Sequence, residues 1–190
     1  MKQLLLAACI ICGLVACNGS GSSTSSKDTT STDTSKMSAN TTNTNVTYAY
    51  PVAYSSDFSI GDPKYAQMIL ELWKDFDNNT FDNHKDYFAD SVNMDFSGMS
   101  VSGTRDSILA MAKASRSRIK SSASSVEVVT TLKPNGKEES WVCVWGKEVD
   151  THNDGKTDSI YLQENWMFNK DGKIAYMSQF QSKPAPPAKK

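Results

Sequence analysis

The chain has 190 residues, a formal net charge of −1 and a pI of about 6.1. A near-neutral balance without a basic stripe argues against a nucleic-acid partner. The length allows one domain with its own core plus flanking segments.

The first element is apolar. Lys2 supplies a short positive region, and Leu4 to Ala16 is an uncharged run of 13 residues, too short for a membrane-spanning helix of ~20 but right for a signal-peptide core. It ends in Leu14-Val15-Ala16-Cys17, which resembles the lipobox of bacterial lipoproteins. The resemblance implies that residues 1–16 are a signal peptide and that Cys17 is lipidated. The partner of that end is then the lipid bilayer, and the location is the cell envelope, periplasmic or surface-exposed. Several acyl chains on one cysteine suffice for stable anchoring. An ordinary signal peptide is the alternative. Cys9 and Cys12 leave with the signal, so only Cys143 remains in the body, and no internal disulfide framework is available. Cys143 sits between Trp141 and Trp145 in an apolar run and reads as a small hydrophobe.

Residues 17–47 are mostly Ser, Thr, Asn, Asp, Lys and Gly, a composition that cannot offset its own ordering entropy. They read as a tether whose ~30 residues span roughly 30 Å as a random coil. Residues 48–59, with Tyr48, Tyr50 and Tyr54, read as an ordered N-terminal extension. Residues 183–190, rich in Pro and Lys, read as an extended tail.

The body spans 60–182. Asp62-Pro63 is a helix start, and Tyr65, Met68, Ile69, Leu72, Trp73 and Phe76 recur at helical spacing up to Asn79. A short helix is expected around His84 to Phe88, a strand over Ser91 to Phe96, and a third helix from Thr104 to Ile119. Asn135-Gly136, Asp154-Gly155 and Asp171-Gly172 then punctuate runs rich in Val, Trp, Ile and Phe. Such spacing marks hairpins. The strands are expected at Ser125 to Lys133, Ser140 to Val149, Ser159 to Asn169 and Lys173 to Gln181, an antiparallel meander after three helices.

A two-residue turn at Asn135-Gly136 puts Val126, Val128 and Thr130 on one face with Trp141, Cys143 and Trp145. A three-residue loop from Lys170, with Gly172 left-handed, puts Ile160, Leu162, Glu164, Trp166 and Phe168 on one face with Ile174, Tyr176, Ser178 and Phe180. Val129, Val142 and Val144 point the other way, so both faces need a cover, helices on one and a second subunit on the other. A homodimer through the sheet is expected.

The stretch VDTHNDGKTDSIY, 149–161, partly fits a calcium loop. Asp150, Asp154, Gly155 and Asp158 occupy ligand or turn positions, but His152 and Tyr161 stand where oxygen ligands belong. Its flanks are predicted strands, so a hairpin loop is the expectation and a weak calcium contact the alternative. No metal or cofactor site is assigned.

The order and spacing of these features resemble the nuclear transport factor 2-like superfamily in its SnoaL-like branch. The carrying residues are Trp73 and Phe76, then Phe88-Ala89-Asp90, Gly103 and Asp171-Gly172-Lys173-Ile174, over roughly 60–182. The resemblance implies an α+β fold: a cone-shaped half-barrel, N-terminal helices packed on a curved antiparallel sheet, enclosing an apolar pocket. It also implies that sheet-mediated dimers are common. Enzymes of this superfamily do not carry over residue by residue. The inward acid of the isomerases falls on Phe96, with Asp95 expected to point outward. The paired histidines of the dehydratases are missing, since His84 reads as solvated and His152 lies in a turn.

The expected pocket residues are Trp73, Phe96, Trp141, Trp145, Trp166, Tyr176 and Phe180. The expected function is binding of a small apolar ligand or a protein partner, with no clear catalytic set. The alternative is an enzyme doing proton-transfer or cyclase chemistry on a hydrophobic substrate. Glu164, a carboxylate among aromatics, would be its acid or base.

Overall fold

The computed structural model of the chain describes residues 47–184. The expected signal peptide, the expected lipidation site Cys17, most of the expected tether and the end of the Pro/Lys tail lie outside the described residues.

Helix α1 (Pro63–Asn78) begins where Asp62 caps it, the carboxylate accepting a hydrogen bond from the Lys64 N–H at 2.9 Å. It ends at Asn79, whose left-handed backbone (φ 57°) closes the last turn. Helix α2 (Arg105–Arg116) starts at Thr104, whose hydroxyl accepts from the Ser107 N–H. The expected third helix is therefore shorter than Thr104 to Ile119, because Ile119 already opens a strand. The segment at His84 to Phe88 is a single 3₁₀ turn, Lys85–Tyr87.

Seven strands form one sheet. They are β1 (Phe58–Ile60), β2 (Phe88–Phe96), β3 (Met99–Thr104), β4 (Ile119–Pro134), β5 (Ser140–His152), β6 (Thr157–Phe168) and β7 (Ile174–Ser182). Their order is β1-β4-β5-β6-β7-β2-β3. The expected meander is β4 to β7, antiparallel throughout. β2 then adds parallel to β7, and β3 returns antiparallel beside β2 through the Gly98 turn. Strand β3 was not expected, and Gly103 belongs to it rather than to a helix start. The result is an α+β cone: two helices packed on one curled, mostly antiparallel sheet.

Register decides which side chains reach the interior. Along β5, Ser140, Val142, Val144 and Gly146 are buried in strict alternation, and Asp150 is buried in the same phase beyond the partly buried Glu148. Along β6, Leu162, Glu164, Trp166 and Phe168 are buried in the same way. The loop after β6 has the expected form: Asn169 N–H donates to the Lys173 carbonyl at 2.8 Å, and Gly172 takes φ +71°. One residue later the expectation fails. Phe168 pairs with Ile174 but Met167 pairs with Tyr176, so Ala175 is an extra residue, a bulge in β7. Because side chains alternate with period two, that residue reverses the rest of the strand. Met177 and Gln179 therefore face inward with Glu164, while Tyr176, Ser178 and Phe180 face outward. In the β4–β5 hairpin the loop is longer than two residues, yet Val128↔Trp145 and Thr130↔Cys143 keep the expected shared face. A second bulge, between Val126 and Val128, removes Val126 from that alignment.

Ile69, Val92, Ile108, Val142, Val144, Phe168 and Ile174 form the driest part of the core. Burying a side chain of this size stabilises by roughly 1.5–3 kcal/mol each. Gly146 lets α1 approach: a Cβ there would collide with the Ser125 carbonyl oxygen and lie 2.9 Å from the Trp73 ring.

Candidate functional site

Between α1, α2 and the concave face lies a cavity of about 550 Å³. Its walls are mainly aromatic, aliphatic and methionine side chains, with Leu72, Trp73 and Phe76 from α1 and Ile108, Leu109 and Met111 from α2. Such a volume suits one small molecule. Of the expected pocket residues, Trp73, Phe96 and Trp166 line it together with Glu164.

Trp141, Trp145, Tyr176 and Phe180 do not. Trp141 and Trp145 sit at outward positions of β5, and the β7 bulge turns Tyr176 and Phe180 outward. Trp141 donates its Nε1–H to the Tyr54 hydroxyl at 2.7 Å, which in turn donates to Glu139. The N-terminal extension is thereby pinned to the outer face. Tyr176 donates to Asp95 at 2.7 Å on the same face, so Asp95 points outward, as the alternation of Val92, Met94 and Phe96 indicates.

Two kinds of carboxylate environment share the cavity. At the aromatic end, Glu164 is 5% exposed. Its Oε2 accepts from Trp73 Nε1 at 2.7 Å and Trp166 Nε1 at 2.9 Å, and its Oε1 accepts from Gln179 Nε2 at 2.8 Å. Burial raises the Glu164 pKa, and these N–H donors pull against that rise. Gln179 reaches Oε1 only because the Ala175 bulge brings Gln179 opposite Glu164.

At the other end, Glu148 and Asp150 stand two residues apart on the inner face of β5. Burial above all, then the neighbouring Asp150, pushes the Glu148 carboxyl up to about 8, with Glu164 and Asp77 adding repulsion. Asp77, at the end of α1, accepts from the Ser124 hydroxyl at 2.8 Å and its N–H at 3.3 Å. Among the described residues, the cavity lining contains no Lys, Arg or His. The nearby Arg116 guanidinium donates to the carbonyls of Phe76, Asp77 and Ile119.

The residues 150–158 form the hairpin between β5 and β6. His152 N–H donates to the Lys156 carbonyl at 2.8 Å, and Gly155 takes φ +84° at the turn. Its acids diverge: Asp154 pairs with Lys156 at 2.7 Å and Asp158 with His152 at 3.2 Å, while Asp150 turns into the cavity. A calcium loop needs these oxygens to converge. Among the described residues no group of three or more His, Cys, Asp or Glu side chains is arranged to hold a metal.

His84 is not the solvated side chain expected. Its Nδ1 lies 2.7 Å from the buried Asp75, which also accepts from Thr80 at 2.8 Å. This network ties α1 to the 3₁₀ turn and stands outside the cavity lining. Cys143 is half-buried on the outer face, and burial pushes its thiol pKa up, the behaviour of an inert cysteine.

Glu148 and Asp150 were missed as site residues. The signal was present, since the alternation Val142, Val144, Gly146 continues to 148 and 150. The Asp-Gly turn that follows drew Asp150 into the loop instead.

No family model matches the sequence, and no curated protein matches it. Solved structures do match in fold. A candidate SnoaL-like polyketide cyclase from Shewanella denitrificans is 13% identical at a TM-score of 0.52, over 64% of this chain and 92% of that one. An LEH-like epoxide hydrolase of M. tuberculosis is 9% identical at 0.51, over 63% and 83%. An NTF2-like protein of unknown function from an Exiguobacterium species is 13% identical at 0.50, over 60% and 98%. At these identities the likeness is one of fold alone.

Proposed function

With the NTF2-like fold as the frame, we propose that this protein is a cell-envelope lipoprotein whose domain binds one small, mainly apolar molecule in its concave cavity. The observation that carries the reading is the cavity itself, about 550 Å³ walled largely by aromatic, aliphatic and methionine side chains. The envelope placement is supported by the charged start, the apolar run to Ala16 and Cys17. Exposed Val128 and Phe180 on the outer face are consistent with a homodimer through the sheet.

The competing reading makes Glu164 an acid or base. Three N–H groups already engage its two oxygens, which favours a fixed, hydrogen-bonded side chain over one that exchanges protons with a substrate. Glu164 then acts as the polar post that holds Trp73 and Trp166 in the cavity wall.

Native mass spectrometry of protein extracted gently from the envelope tests the binding reading. The expected result is a retained small molecule in one-to-one ratio, lost when Trp166→Ala opens the wall. A preparation that carries no such mass and shows no change in Trp73 and Trp166 fluorescence with added 1-octanol would overturn it. Membrane retention of a Cys17→Ser variant would overturn the lipid anchor.

A further inference from the structure

Glu164 and Glu148 line one cavity, but only Glu164 accepts hydrogen bonds from N–H donors of the chain. Asp150 is 8% exposed, lines the cavity, and its Oδ1 has no hydrogen-bond partner. Ser122, opposite Asp150 in the β4–β5 ladder, also carries a buried hydroxyl without a partner. Among the described residues these are the buried side-chain polar atoms left unpaired. An unpaired buried acceptor is costly, and a buried carboxylate requires a partner of opposite charge or several donors.

Among the described residues no cation supplies one, and the donor within reach is the Glu148 carboxyl itself, which holds a proton at neutral pH and shares it with Asp150. The lining has no Lys, Arg or His. The guanidinium of Arg116 is engaged by three backbone carbonyls, and Lys74 reaches only Asp77, at 3.7 Å. The acid end, two carboxyls with one proton between them at neutral pH, therefore presents acceptor oxygens and negative charge toward a space whose other end is apolar.

We propose that Glu148 and Asp150 form a cation subsite that takes the protonated amine of a ligand whose remaining body is apolar. This rests on the cavity being a small-molecule site. An ammonium carries three donors and one charge, which matches the unpartnered Asp150 Oδ1 and the adjacent Glu148 carboxyl. The apolar body then lies against Trp73, Phe96 and Trp166. A carboxylate ligand is disfavoured because it would meet the negative charge of the pair, and a neutral alcohol satisfies a lone pair without offsetting that charge.

Isothermal titration calorimetry on the full-length chain carrying Cys17→Ser, at pH 7, with octylamine, 1-octanol and octanoate tests this. Octylamine is expected to bind about tenfold tighter than 1-octanol or better, with octanoate weakest. Asp150→Asn and Glu148→Gln are each expected to shrink the amine preference to about twofold while 1-octanol affinity stays, which reports an intact cavity. Equal affinities for amine and alcohol in the wild-type chain would overturn the cation subsite and leave the apolar site standing. So would an amine preference that survives both substitutions. Failure of all three probes to bind would overturn the cavity reading and this proposal together.

Discussion

The two ends of the cavity handle the same chemical group in opposite ways. Glu164 is more deeply buried, yet two indoles and an amide surround it with N–H donors. Glu148 has another acid as its neighbour, and its carboxyl is pushed up to about 8. Burial raises a carboxyl pKa wherever it occurs. What differs is whether the fold provides donors at the same point. At the aromatic end the carboxylate is part of the architecture. At the acid end the polarity is unfinished and faces the space where a ligand sits.

The largest effect should come from dismantling the finished end. Glu164→Ala removes the acceptor for Trp73, Trp166 and Gln179 at once, leaving buried donors unpaired. A destabilisation of about 3 kcal/mol or more is expected in urea unfolding. Glu164→Gln should cost about 1 kcal/mol, since its amide oxygen can still accept from the two indoles and Gln179 can turn its own amide to match. A loss for Glu164→Gln as large as for Glu164→Ala would show that charge, not hydrogen bonding, holds that end.

The seat of Trp73 offers a smaller break. Gly146→Ala places a methyl against the Ser125 carbonyl and the Trp73 ring. Overpacking of this kind costs about 2 kcal/mol, and the indole must shift away from Glu164. Altered tryptophan emission together with the lowered urea midpoint is the expected signature. A stable variant with unchanged emission would show that β5 can yield without moving the helix.

The acid end is read through pH. The Glu148 carboxyl is raised from 4.5 to about 8 in the folded chain. Between those values the native state holds a proton that the unfolded chain has released. Its stabilising contribution is fully present below the ordinary carboxyl range and is lost as pH rises through about 8. The slope is at most about 1.4 kcal/mol per pH unit. Glu148→Gln should flatten that decline and make the variant more stable than wild type above pH 8. Glu164, also raised, contributes the same sign to both proteins. Parallel stability profiles from pH 5 to 9 would show that Glu148 titrates normally.

Much of the fold was legible because it rests on local chemistry. Asp62 and Thr104 cap their helices, Gly155 and Gly172 sit in left-handed turns, and alternation along β5 and β6 sorts inward from outward side chains. The site was half legible. Trp73, Phe96, Glu164 and Trp166 follow from uninterrupted periodicity, and the cavity contains them. Tyr176 and Phe180 were misplaced by one bulged residue, Ala175, which no propensity distinguishes from its neighbours. Strand β3 was hidden for another reason: Met99–Thr104 is short, partly exposed and rich in Ser and Gly, so it carries little apolar alternation. The parallel pairing of β2 with β7 joins segments too far apart for any local pattern to announce.

The outer face supplies the smallest expected effect and the sharpest control. Phe180 is 57% exposed, on the side of the sheet away from the cavity. Phe180→Ser should change monomer stability by no more than about 0.5 kcal/mol and leave 1-octanol binding untouched, because no cavity atom moves. If the exposed outer residues meet a second copy, the same substitution should lower the fraction of dimer in sedimentation velocity. A change in ligand affinity without a change in assembly would mean instead that Phe180 turns inward in solution. The β7 bulge would then be absent, and Gln179 would no longer be the donor that completes Glu164.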